Sequence, residues 1–104
     1  MRKSDWTDKA LLDLDNILRY WAIRRGNKEL ARSIYGAICE VVSTLRRANV
    51  GRPGIKPGTY EKIIQKYPYL VVYEYADNRV VVLRIFHGVQ DWQTEMLEDQ
   101  NSVQ

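Results

Sequence analysis

Arg84, His87, Asp91 and Trp92, within nine positions of one another, are the residue types here that most readily do chemistry at neutral pH. His87 is the single histidine of the chain. An imidazole titrates near physiological pH, so it can serve as general acid or base. The structural alternative is a histidine hydrogen-bonded to a nearby backbone group. Asp91 can pair with the imidazole as a carboxylate, and Trp92 offers a platform for stacking or seals a core edge. Arg84 is the one charge in the apolar run from Val80 to Phe86. Its guanidinium suits an anion on an open sheet face. Alternatively it snorkels at the rim or pairs with Glu74 on a neighbouring strand.

A second group is cationic. Positions 46–66 hold Arg46, Arg47, Arg52, Lys56, Lys62 and Lys66 against one acid, Glu61, a local charge of +5 in 21 residues. The formal total of +3 conceals this. Residues 1–92 carry 16 basic and 10 acidic side chains, hence +6, while 93–104 hold Glu95, Glu98 and Asp99 and no Lys or Arg. Such density suits an anionic partner, either nucleic acid or an acidic protein segment, or else a solvated surface. Arg24, Arg25, Lys28 and Arg32 form a further basic rim able to meet an acidic partner.

Several classes are excluded. One His and one Cys cannot assemble a soft-metal ligand set, and the glycine patterns of P-loops and dinucleotide sites are missing, so no metal or cofactor is expected. The lone Cys39 forms no internal disulfide and fits a reducing cytosol. Apolar runs cover only a few residues where a bilayer span needs roughly 20. The polar, acidic start after Met1 is expected to carry no signal peptide. At 104 residues and 45% hydrophobic, the chain makes one domain with a modest core.

The elements that position these groups follow from periodicity. Thr7 caps a first helix whose Ala10, Leu11, Leu14, Ile17, Leu18 and Trp21 form one apolar stripe. Gly26 ends it, Asn27 caps the next, and Leu30, Ala31, Ile34, Ile38, Val41, Val42 and Leu45 give the second stripe. The short connection makes an antiparallel helical hairpin. Residues 51–58, rich in Gly and Pro, read as a shaped loop. Strands are predicted over Thr59 to Lys66, Tyr69 to Tyr75 and Val80 to Phe86, with Ala76–Arg79 as a turn. Strict alternation on the last strand sets Val81, Leu83 and Ile85 on one face and Val80, Val82, Arg84 and Phe86 on the other. Tyr69, Tyr73 and Tyr75 share a face, as core or as a recognition surface. One sheet face takes the hairpin and the other is left for function. Residues 2–6 lack apolar alternation, and the stretch from Gln93 onward is a polar, acidic tail that either forms a short helix or stays disordered.

Gly51-Arg52-Pro53-Gly54, Pro57-Gly58-Thr59-Tyr60, Tyr67-Pro68-Tyr69-Leu70-Val71-Val72-Tyr73, Val82-Leu83-Arg84-Ile85-Phe86-His87-Gly88 and Asp91-Trp92, in that order, resemble the RelE/ParE toxin superfamily. The resemblance runs from about Trp6 to Trp92. It implies an α+β fold, β-α-α-β-β-β, a helical hairpin on an antiparallel twisted sheet, with residues 2–6 as its first strand and 1–92 as the toxin domain. It also implies a cytoplasmic toxin of a bacterial type II toxin–antitoxin module, of the kind linked to plasmid stabilisation, held by a co-expressed antitoxin in an oligomeric complex. Two activities occur in the superfamily. RelE-like members cleave mRNA in the ribosomal A site; ParE-like members bind DNA gyrase without hydrolytic chemistry.

His87 matches a position where some ribonuclease members carry a catalytic histidine, and Arg84, Arg52 and Lys56 would supply cations. Ribonuclease members, however, typically place an arginine after the first tyrosine of the middle strand, where Leu70 stands. Gly88-Val89-Gln90 also lacks the basic grouping of their C-terminal segment. The resemblance therefore favours the ParE-like branch. Gyrase would be engaged through Arg52, Lys56, Lys62 and Trp92, and the antitoxin through Arg24, Arg25 and Arg32. Under the alternative, His87 and Arg84 would be catalytic in an mRNA interferase.

Overall fold

The computed structural model describes residues 1–88 and 92–102. Asp91, and the uncharged Val89-Gln90 pair, lie outside the described residues.

Thr7 begins the first helix as its residue type predicts: its Oγ1 accepts the Ala10 N–H at 3.1 Å, and its hydroxyl donates to the Leu83 carbonyl at 2.8 Å. Helix α1 spans Asp8–Arg19 and runs on through one π-helical turn, Tyr20–Arg24, closed by the Arg25 N–H on the Tyr20 carbonyl. Gly26, at φ +63°, reverses the chain in the left-handed region. Asn27 Oδ1 then accepts the Leu30 N–H at 3.0 Å to open α2, Lys28–Arg47. Hairpin and caps are as the sequence predicts.

The strands are β1 (Lys3–Trp6), β2 (Arg52–Pro53), β3 (Thr59–Ile63), β4 (Tyr69–Ala76) and β5 (Arg79–His87), in sheet order β1-β5-β4-β3-β2. Two features depart from the expected pattern. The sheet is mixed, because β1 pairs parallel to β5, Lys3 beside Arg79 through Trp6 beside Val82. The Gly/Pro loop donates a two-residue edge strand, β2, antiparallel to β3. The acidic stretch after Trp92 takes the helical of its two expected forms, as α3 (Trp92–Ser102). Asp77 and Asn78, at φ +50° and +60°, form the two-residue turn between β4 and β5, the geometry that matches strand twist.

Alternation on β5 is broken by a bulge. Val72 pairs with Arg84 but Tyr73 pairs with Val82, so Leu83 is an extra residue. Val80, Val82 and Ile85 therefore share with Tyr69, Val71 and Tyr73 the face that packs on the hairpin, against Ile34, Ile38 and Leu45 of α2. Leu83 and Phe86 turn to the second face, correcting the assignment by simple parity. That second face is not wholly open: Met96 of α3 is buried among Leu70, Val72 and Phe86, with Trp92 packed alongside. No helix among the described residues is long and apolar enough to cross a membrane.

Candidate functional site

Sheet and hairpin leave a groove of about 890 Å³ between α1, the π-helical turn and the β4–β5 end of the sheet. Its walls carry Leu12, Ile17, Tyr20, Trp21, Tyr67 and Tyr69, and its polar groups are Asp13, Asn16, Arg84, His87 and Glu95. Two of the residues singled out from sequence, Arg84 and His87, thus meet here. His87 stands opposite Tyr69 in the strand register, their rings edge to face at 5.4 Å. Tyr69 Oη in turn accepts the Trp21 indole N–H at 2.7 Å, fixing the groove wall to the helical turn.

Arg84 neither snorkels free nor pairs with Glu74, which sits opposite Val81 in the register. Its Nε donates to Asp13 Oδ2 at 2.8 Å and its Nη2 to Asp13 Oδ1 at 3.1 Å, a two-pronged pair with both side chains about 85% buried. The guanidinium also lies 4.5 Å over the Phe86 ring. Asp13 does more than neutralise it. Beyond Trp6, where β1 stops, Oδ2 also accepts the Ile85 N–H at 2.9 Å, replacing the missing strand as the acceptor for a ladder donor. Sequence reasoning missed Asp13. The one signal was Arg84 itself, a charge in an apolar strand that needs a partner once buried.

The four residues expected to meet a target do not converge on one face. Arg52 Nε is paired with the buried Glu61 carboxylate at 2.8 Å, so much of its charge is answered internally. Lys56 shapes the loop through its carbonyl, which accepts the Thr59 hydroxyl at 2.7 Å. Lys62, opposite Val71, shares the hairpin side of the sheet, whereas Trp92 packs on the opposite side. The loop is anchored from within by Tyr73, whose hydroxyl donates to Asn49 Oδ1 at 2.7 Å and accepts the Gly51 N–H at 2.9 Å. Burial holds that phenol's pKa up to about 12. Arg24, Arg25 and Arg32 are exposed around the hairpin turn. No cluster of metal-ligating side chains occurs among the described residues.

The comparisons with known proteins agree with this architecture. A family model described as the ParE toxin of the type II toxin–antitoxin system parDE matches residues 5–92. A chain from the chromosomal ParDE system of P. aeruginosa superposes with a TM-score of 0.74 at 28% identity, over 84% of this chain and 96% of that one. The isolated RelE toxin of E. coli shares the fold at a TM-score of 0.56 and 15% identity, over 95% and 98% of the two chains. A chain of the intact E. coli RelBE toxin–antitoxin complex gives 0.56 and 15%, over 86% and 100%. Among curated proteins, none matches the sequence significantly.

Proposed function

This chain belongs to the ParE toxin family of type II toxin–antitoxin systems, and from that membership we propose that it arrests growth in the cytoplasm by binding DNA gyrase while a cognate antitoxin restrains it. The observation that carries this choice over mRNA cleavage is the charge of the groove. Cutting RNA through its 2′-hydroxyl needs a base, an acid and a cation to meet the charge that develops on phosphorus. Among the described residues that line the groove, Arg84 is the sole Lys or Arg, beside two carboxylates, Asp13 and Glu95, and Asp13 holds its guanidinium by two hydrogen bonds. A phosphate entering the groove would meet two carboxylates and a guanidinium already held by one of them. An aromatic and apolar cleft of this kind suits side chains of a protein partner better than an RNA backbone.

The antitoxin partner follows from the family, and the exposed arginines Arg24, Arg25 and Arg32 suit an antitoxin segment that is acidic overall. Two assays on purified toxin separate the targets. Gyrase supercoiling should be blocked in proportion to toxin, with cleaved gyrase–DNA complexes accumulating; unchanged supercoiling at saturating toxin would sink the proposal. Translating ribosomes incubated with toxin should keep their mRNA intact, and A-site cuts that disappear in His87→Ala would establish the interferase instead.

A further inference from the structure

At the end of the sheet remote from the groove, the start of β1, the last turn of α2 and the β4–β5 turn come together. Arg2 donates its N–H to the Arg46 carbonyl at 3.2 Å, and Arg46 Nε donates to the Arg2 carbonyl at 2.8 Å. The Arg2 guanidinium lies 4.5 Å over the Tyr75 ring. Arg47 follows, exposed, in the last turn of α2. Lys3 is held at the same end, its N–H donating to the Asn78 carbonyl at 3.3 Å.

None of Arg2, Lys3, Arg46 and Arg47 forms an ion pair with another described residue. Of the acids at this end, Asp5 is taken up by Arg79 at 2.7 Å and Asp77 sits on the turn. Glu74, next to Tyr75 on β4, falls on the other face of the sheet. Cations in the last turn of a helix answer its carbonyl dipole. That accounts for Arg46 and Arg47, but not for Arg2, which another element brings in beside them. The groove is distant: Tyr69 lines it and Tyr75 lies under Arg2, both on β4, about 20 Å apart at about 3.3 Å per residue.

We propose that this end of the toxin binds the phosphate backbone of duplex DNA, with Arg2, Arg46 and Arg47 as the contacts. A guanidinium holds phosphate oxygens through a rigid fork of donors. A duplex carries one charge per about 1.7 Å of its axis, so neighbouring arginines meet neighbouring phosphates without any sequence being read. An acidic protein segment would also need apolar surface to seat against between its charges. The ring among these arginines, Tyr75, is already covered by Arg2 and tied down by its hydroxyl, which donates to the Leu45 carbonyl at 2.6 Å. A toxin seated on gyrase through its groove would present this end to the DNA that the enzyme handles, but the binding itself requires no gyrase.

The probe is a short fluorescein-labelled duplex of random sequence, titrated by anisotropy with the purified full chain and no other protein. Three phosphate contacts predict that binding weakens about fortyfold between about 50 mM and about 200 mM salt. Arg2→Gln/Arg47→Gln, which leaves Arg46 Nε on the Arg2 carbonyl, should bind at least about tenfold more weakly at the lower salt and lose about two from the slope of log affinity against log salt. Arg47→Glu, at an exposed position, should weaken binding while circular dichroism shows the fold unchanged. Arg24→Gln/Arg25→Gln removes as much charge from the hairpin turn and should leave affinity within twofold. Absence of saturable binding at the lower salt would overturn the proposal. So would an equal loss in the hairpin-turn variant, which would mean that only total charge counts, or a polyglutamate of equal charge that competes as well as unlabelled duplex, which would assign the patch to acidic proteins. Supercoiling enters none of these readouts, so DNA binding and gyrase inhibition stand or fall separately.

Discussion

Replacing Asp13 by Asn tests the most consequential contact in the molecule. The carboxylate is the shared acceptor of the Arg84 Nε, the Arg84 Nη2 and the Ile85 N–H, at 2.8, 3.1 and 2.9 Å. An asparagine of the same shape keeps one acceptor oxygen and loses the charge. Breaking a buried pair from one side costs about 3–5 kcal/mol because the remaining charge is left uncompensated. Arg84 and Asp13 keep 14% and 15% of their side-chain surface in water, which lets solvent recover part of that, so about 2–3 kcal/mol is the expected loss. In urea, where small domains have slopes of about 1–3 kcal/mol per molar, the midpoint should fall by about 1–2 M. Arg84→Met alone should cost less, because Asp13 keeps the Ile85 N–H and its place at the rim of the groove. The double variant Asp13→Asn/Arg84→Met should then be more stable than the sum of the singles by at least about 1 kcal/mol, the mark of two residues acting as a pair. A loss under about 0.5 kcal/mol for Asp13→Asn, with additive behaviour in the cycle, would refute the reasoning that this carboxylate stitches α1 to the end of β5.

The anchoring of the loop and the bulge can be tested in the same way. Tyr73→Phe should lose about 1–3 kcal/mol, since the Gly51 N–H and Asn49 Oδ1 both lose their partner. Because burial holds the Tyr73 phenol up to about 12 against an ordinary 10.0, folding favours the protonated form. Stability should be intact below the unfolded value and fall as pH rises from about 10 to about 12, a slope that alkaline unfolding curves should show diminished in Tyr73→Phe, with Tyr75, also raised by burial, accounting for what is left. Gly51→Ala should cost about 1–3 kcal/mol in urea melts, because a Cβ there would lie 2.5 Å from the Glu61 carbonyl oxygen and closer still to Tyr73 Oη. Deleting Leu83 should leave a folded protein by circular dichroism at a cost of about 2–4 kcal/mol, whereas deleting Val81, which would turn the fully buried Val80 out of the core, should abolish folding.

The contrast between those deletions shows where the sequence was legible and where it was not. Helix positions were readable because the stripes from Ala10 to Trp21 and from Leu30 to Leu45 are periodic and bounded by Thr7, Gly26 and Asn27, each a residue whose local chemistry favours its place. The β4–β5 turn was readable for the same local reason. The bulge was not, because Val80 to Leu83 is apolar at every position and so offers no alternation from which a skipped residue could be seen. Nor was the parallel β1 readable from Arg-Lys-Ser-Asp, since its pairing with β5 is made by backbone groups that any side chain permits. Asp13 is a polar residue between Leu12 and Leu14, and its partner lies 71 positions away. Nothing local distinguishes it from a solvated aspartate.

Leu70 links the site to the fold more tightly than its sequence context suggests. It stands where the ribonuclease-type pattern would carry an arginine. In the folded chain it is 3% exposed, packed with Val72 and Phe86 beneath Met96 of α3. An arginine at 70 would have to seat a guanidinium in an apolar cluster without a partner, at a cost of several kcal/mol, or displace Met96 and uncover the second face of the sheet. The same residue thus both lacks the charge that a phosphate would need and supplies the floor on which α3 rests. A cation at this position and a covered second face are alternatives, and this chain has taken the second. Its excess positive charge is consequently left around the hairpin turn and along the β2–β3 edge, where Arg24, Arg25, Arg32, Lys62 and Lys66 stand outside the groove lining. Charge so placed favours binding surfaces for acidic protein segments over a centre for cutting RNA.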